Sequence, residues 1–146
     1  MDLKTTRFGN FPIDPDDVIR FPQGVIGLEQ CKDWVLLADS QNDALGWLQC
    51  TSHPEIALAV VSPRRFVPEY RVRVYRKELA PLELIEAKDA QVLVILGRNG
   101  ESLTLNLKAP LLINLDRRLG RQVVANGDAA IQHKLSSHRF PLRKSA

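Results

Sequence analysis

The sequence predicts a mainly β protein, an antiparallel β-barrel-like single domain with one or two short helices. Two observations carry that reading. Short apolar runs recur at roughly 10-residue spacing between clusters of Gly, Pro, Asn and Asp, as in strands joined by tight connections. No stretch between them sustains the 3.6-residue apolar period of a long helix, so a parallel sheet with helical crossovers is not expected.

In chain order, "DVIRF" (Asp17 to Phe21) is a weakly alternating strand, and "FPQGVIG" supplies Pro22, Gly24 and Gly27 for a chain reversal. "WVLLA" (Trp34 to Ala38) and "GWLQC" (Gly46 to Cys50) are apolar strand-like runs on either side of the polar turn "DSQND". "IALAVV" (Ile56 to Val61) and "VLVILG" (Val92 to Gly97) read as strands buried on both faces. Between them "YRVRVY" (Tyr70 to Tyr75) sets Val72 and Val74 on one side and Arg71, Arg73 and Arg76 near the other, predicting a half-exposed strand with a basic face. "RKELAPLELIE" (Arg76 to Glu86) spaces Leu79, Leu82 and Ile85 helically, but Pro81 limits the helix to a turn or two. The Asn99-Gly100 pair in "RNGES" signals a hairpin. "SLTLNLKAPLLINLDRRLGRQVVAN" (Ser102 to Asn126) breaks at Lys108–Pro110 and at Asp116–Arg118, giving three strands and two turns, the second closed by Gly120. In "GDAAIQHKLSSH" (Gly127 to His138), Asp128 as a cap and Ile131 and Leu135 four apart predict a short C-terminal helix. Residues 136–146 are basic and contain a proline, and are expected to form a flexible tail beyond a domain spanning residues 1–135.

A chain of 146 residues is long enough to bury roughly 68–70% of its unfolded surface in one domain. Its 45% hydrophobic and 25% charged residues are ordinary for a soluble protein. No apolar run reaches the about 18 residues of a transmembrane helix. The N-terminus "MDLKTTRFGNF" lacks the apolar core of a signal peptide, so a cytoplasmic location is expected. Cys31 and Cys50 lie 19 apart with no CxxC pattern, which disfavours a disulfide scaffold or a cysteine-rich zinc site. Cys50 reads as a small core residue, and Lys32 is the one neighbour that would lower the Cys31 pKa.

The residues that carry most enzyme chemistry are thinly spread. His53, His133 and His138 have no GxSxG elbow nearby, and His133 and His138 are out of phase for one helical face. Asp14, Asp16 and Asp17 lack the Gly and distant Glu of a calcium loop, and read as a solvated turn around Pro15. "GVIG" is not a dinucleotide fingerprint. No catalytic residue, cofactor or metal is expected.

Charge and shape point instead to surfaces. Residues 1–62 carry four basic and nine acidic groups, whereas residues 63–146 carry sixteen basic and eight acidic ones. If the halves fold onto different faces, the field can orient a charged partner. The arginines of the second half, with Phe66, Tyr70, Tyr75 and Phe140 among them, leave open an alternative: a small basic β-barrel binding single-stranded nucleic acid. "VSPRRFVPEY" (Val61 to Tyr70) sets two prolines, two arginines and two aromatics on a stiff connection. Its aromatics are either interface anchors or plugs for a barrel end.

Three blocks, "FPQGVIGLEQCKDWVLL", "GWLQCTSHPEIALAVVSPRRFVPEY" and "LTLNLKAPLLINLDRRLGRQVV", resemble the bacterial flagellar assembly factor family FliW across roughly residues 7 to 135. "NLKAPLLIN" followed by "RQVV" is the most specific. The resemblance implies a monomeric β-barrel-like protein without enzymatic activity or cofactor. It also implies two protein partners: CsrA, a dimeric RNA-binding repressor of translation, and flagellin. Flagellin would draw the protein away from CsrA, with no direct nucleic-acid or membrane binding. Candidate partner contacts are Ser52, His53, Glu55, Arg65, Phe66 and Tyr70, the two aromatics as anchors; Gly24, Gly27, Trp47, Asn106 and Pro110 are expected to serve the fold.

Overall fold

A computed structural model describes residues 1–135 of the chain. The expected tail, residues 136–146, lies outside them. A hairpin of β1 (Asp2–Thr5) and β2 (Gly9–Pro12) stands apart as its own two-stranded sheet. The main sheet contains β3 (Val18–Arg20), β4 (Asp33–Ala38), β5 (Gly46–Cys50), β6 (Ala57–Val61), β7 (Gln91–Asn99), β8 (Ser102–Leu105), β9 (Leu111–Asn114), β10 (Leu119–Gln122) and β11 (His133–Lys134). Its order is β11-β8-β7-β6-β5-β4-β3-β10-β9, and β9 also pairs with β7. That second pairing closes a barrel of seven strands, the mainly β architecture expected from the sequence.

Closure depends on the length of β7. Its residues Gln91–Leu93 pair with β9, Val94 and Ile95 with β6, and Leu96–Asn99 with β8. All pairings are antiparallel except β3 with β10, where Leu119 lies opposite Arg20. "NLKAPLLIN" turns the chain from β8 into β9: the Asn106 side chain accepts hydrogen bonds from the backbone N–H groups of Lys108 and Ala109, at 3.2 and 3.1 Å. The Asn99-Gly100 signal becomes a tight hairpin, with Asn99 paired to Ser102.

Alternation along the strands separates two cores. Ile19, Phe21, Trp34, Leu48, Cys50, Val60, Leu93, Leu111 and Ile113 pack together inside the barrel. Their neighbours Val61 and Val94 face outward, and pack with Leu45, Phe66, Tyr70, Leu105 and Leu107. Leu82 and Leu112 form a third, smaller cluster with Val123. Inside the barrel, a Cβ at Gly120 would lie 2.3 Å from Phe21 Cζ, so only glycine admits the ring there. Gly24 is needed for both conformation and space, with φ +73° and the Glu29 backbone 2.6 Å from where a Cβ would be.

Three expectations need correction. "YRVRVY" keeps its alternation, arginines out and valines half-buried, but joins no strand pairing. Both edges of β6 are already taken by β5 and β7, and a single backbone bond, from Asn126 N–H to Arg73 O at 2.6 Å, ties the segment at its middle. The expected C-terminal helix is absent from residues 127–135; β11 pairs there with β8 instead. Ile131 is 65% exposed, so no apolar face is buried that would hold a helix. Gly120 does not end a turn but lies inside β10, opposite Ile113. By contrast the short helix is present as α1 (Arg76–Leu79), continued by a 3-10 turn over Ala80–Leu82.

Candidate functional site

The turn from β5 to β6, which carries Ser52, His53 and Glu55, is organised from below by one buried amide. Gln49 is fully buried. Its Nε2 lies 3.1 Å from the carbonyl oxygens of Cys50, Pro54 and Ile56, and 3.4 Å from that of His53. Two N–H bonds are thus shared among four acceptors, while Gln49 Oε1 is buried without a partner. The turn is held on its other side by the N-terminal hairpin, where Thr6 N–H donates to Pro54 O at 2.9 Å. Arg7 stacks 4.3 Å from the Trp47 ring centroid, and Phe8 meets the same ring edge-on at 5.7 Å. Trp47 in turn donates from Nε1 to Asp39 at 3.1 Å, a bond that draws the Asp39 carboxyl below its usual range.

At the mouth of the barrel the turn closes over two cysteines. Cys31 ends the loop that enters β4 and Cys50 ends β5, and both are fully buried. His53 Nδ1 lies 3.7 Å from Cys31 Sγ and 3.8 Å from Cys50 Sγ, and 2.9 Å from Ser52 Oγ. Burial is the first cause that pushes the Cys31 thiol up to about 11, followed by the neighbouring Cys50 and by the charge of Glu55. A single flanking lysine is weak ground for a reactive thiol, and burial sets Cys31 in the opposite direction.

Ser52, His53 and Glu55 thus form one surface, with Ser52 and Glu55 exposed and His53 half-buried. Arg65, Phe66 and Tyr70 do not join them, since β6 runs between the two groups and places them at opposite ends. Arg65 is exposed and reaches Asp43 at 3.6 Å. Phe66 and Tyr70 are corrected as surface anchors, being 5% and 8% exposed in the outer core. Apolar area drives that burial, and the Tyr70 hydroxyl is satisfied inside by donating to Leu107 O at 2.7 Å. Burial raises the Tyr70 phenol to about 12. Beside Tyr70 a groove of about 390 Å³ opens, with Arg64, Arg71, Val72 and Gln91 in its lining.

Sequence reasoning passed over Gln49 and the Cys31–Cys50–His53 cluster. A signal for the cluster existed in the hairpin of "WVLLA" with "GWLQC": the register sets Trp34 opposite Cys50, and so brings Cys31 to the same end. Gln49 offered no comparable signal, because a glutamine in a strand is ordinarily exposed.

Among the described residues no helix is long and apolar enough to cross a membrane. The family model described as FliW protein matches residues 2–135. The flagellar assembly factor FliW of Natranaerobius thermophilus is 32% identical over 139 residues, covering 92% of this chain and 92% of that protein. That of Moorella thermoacetica is 33% identical over 144 residues, covering 96% and 91%. A crystal structure of the flagellar assembly factor FliW superposes with a TM-score of 0.85 at 29% identity, covering 97% of this chain and 98% of the other.

Proposed function

The chain belongs to the FliW family, and from that membership we propose that it is a flagellar assembly factor that acts by binding proteins rather than by catalysis. In this reading a monomer in the cytoplasm binds the translational repressor CsrA and keeps it off the flagellin transcript. It also binds flagellin, and newly made flagellin takes it away from CsrA. The switch requires a coupling of about 1–3 kcal/mol between the two partners and no chemical step. The observation that carries the proposal is the family match over residues 2–135, which includes every strand of the described residues.

The surface of Ser52, His53 and Glu55 is the proposed contact region, with Arg65 belonging to the opposite end of β6. Residues held on a turn braced by Gln49 lose little freedom on binding, which favours recognition. Titration calorimetry tests the switch: the protein against CsrA, against flagellin, and against CsrA with flagellin saturating. Heat with each partner and loss of the CsrA signal in the presence of flagellin is the expected result. No heat with either, together with salt-sensitive binding to a single-stranded oligonucleotide, would replace this reading with the basic-barrel one.

A further inference from the structure

We propose that Cys31, Cys50 and His53 form a binding site for a thiophilic divalent cation, zinc above all, at the mouth of the barrel. The three ligand atoms come from two pieces of chain: Cys31 from the loop before β4, and Cys50 and His53, three residues apart, from the end of β5 and the turn that follows. They nevertheless converge to within 4.8 Å of one another. Tetrahedral zinc, with Zn–S about 2.3 Å and Zn–N about 2.0–2.1 Å, has S···N edges of about 3.6 Å. The two S···N distances are 3.7 and 3.8 Å, within roughly 0.2 Å of that edge. Simple core packing would bring the sulfurs among apolar groups, but it would not aim an imidazole nitrogen at both.

The donor set selects the metal. Two sulfurs and one imidazole suit zinc and other soft or borderline cations, and disfavour magnesium and calcium, which take oxygen. Both thiols are free, and ligation displaces their protons to solvent while the cation takes their place. The fourth ligand would be water or an oxygen from the exposed side chains of the same turn, of which Ser52 Oγ lies 3.4 Å from Cys50 Sγ. Ser52 Oγ, 2.9 Å from His53 Nδ1, has to release that nitrogen as the metal enters. A bound cation would clip the loop of residues 21–32 to the β5–β6 turn, fixing the surface offered to a partner. The site does not depend on which partner that is.

Cobalt serves as the spectroscopic probe. The reduced, chelator-treated full chain, titrated with Co²⁺ without oxygen, is expected to develop a thiolate-to-cobalt charge-transfer band and intense tetrahedral d–d bands that saturate at one equivalent. One equivalent of Zn²⁺ should bleach them. Cys31→Ser should remove about half the charge-transfer intensity, as one of two sulfurs. His53→Gln, in a half-exposed turn that does not support the core, should keep the band but weaken Co²⁺ binding by about tenfold or more. Circular dichroism checks that both variants remain folded. No charge-transfer band in the folded, reduced protein overturns the proposal, as does Co²⁺ binding indifferent to His53→Gln. Recovery of a Cys31–Cys50 disulfide that forms equally well with zinc present would assign the pair to redox chemistry instead.

Discussion

At the scale of single residues, the tightest constraint is a missing side chain. Gly120 faces the Phe21 ring so closely that an added methyl would sit 2.3 Å from Cζ. Phe21 is fully buried inside a closed barrel and has nowhere to move. Gly120→Ala should therefore cost about 1–3 kcal/mol or more, the usual range for overpacking, read as a lower urea midpoint with an unchanged slope. Tyr70 makes a second case. Its phenol has a folded pKa of about 12 against an ordinary 10.0, so the native state holds the proton more tightly than the unfolded chain. The corresponding stability is complete below pH 10 and is lost as pH rises from 10 towards 12. Tyr70→Phe loses the bond to Leu107 O and about 1 kcal/mol near neutral pH. Denaturant titrations at rising pH should show that deficit shrinking above pH 10, and a constant deficit would contradict a buried, protonated Tyr70. Neither constraint was legible in the sequence. Gly120 reads as a turn residue until β10 is placed beside Phe21, and Tyr70 reads equally well as anchor or plug until its hydroxyl finds an acceptor.

At the scale of elements, the β5–β6 turn depends on Gln49. Replacing it with leucine keeps the volume but withdraws the only side-chain donor shared by the carbonyls of Cys50, His53, Pro54 and Ile56. Gln49→Leu should destabilise the fold by about 1 kcal/mol, since the carbonyls lose a shared donor while those of His53, Pro54 and Ile56 keep a backbone N–H. It should also speed amide exchange within residues 50–56 more than in β9 or β10; uniform acceleration would mean that the turn has no separate dependence on this amide. The strands themselves were readable because apolar runs between turn residues survive any packing. β4, β5, β6 and β7 fall where their runs predict, and the three strands of residues 102–126 are present. What failed was pairing. "YRVRVY" has the period of a strand but no free neighbouring edge, and "GDAAIQHKLSSH" has helical spacing but met the open edge of β8. Period reports which side chains turn inward; hydrogen-bond partners are a property of the assembled sheet.

At the scale of the whole molecule, most of the chain's charge sits in the connections rather than in the strands. β3 to β6 are contiguous in the barrel, and β10, β9, β7, β8 and β11 make up the other arc. β3 to β6 carry only the paired Arg20 and Asp33, and Arg65 of the second half reaches Asp43 of the first, so the two halves meet in the connections. Even without the tail, residues 63–135 carry thirteen basic groups against eight acidic ones. An exposed acidic cluster can approach the basic surface of an RNA-binding partner and repel phosphate from it, which joins such a cluster to the proposed antagonism of CsrA. Asp14, Asp16 and Asp17 are the exposed acidic cluster on which to test this. Asp14 accepts from Asp16 N–H and Asp17 accepts from Asp14 N–H, each at 3.0 Å, capping the 3-10 turn over Pro15–Asp17. Asn at all three positions keeps an oxygen for each cap while removing three negative charges, so the turn should persist. The triple variant is expected to bind CsrA within a few-fold of the parent at physiological salt, where screening acts over about 8 Å. It should nevertheless release CsrA to its transcript at markedly lower RNA concentration, in a competition assay with labelled RNA. A parallel loss of binding and inhibition would show that the cluster is simply part of the contact surface, and that exclusion of RNA comes from occupancy rather than from charge.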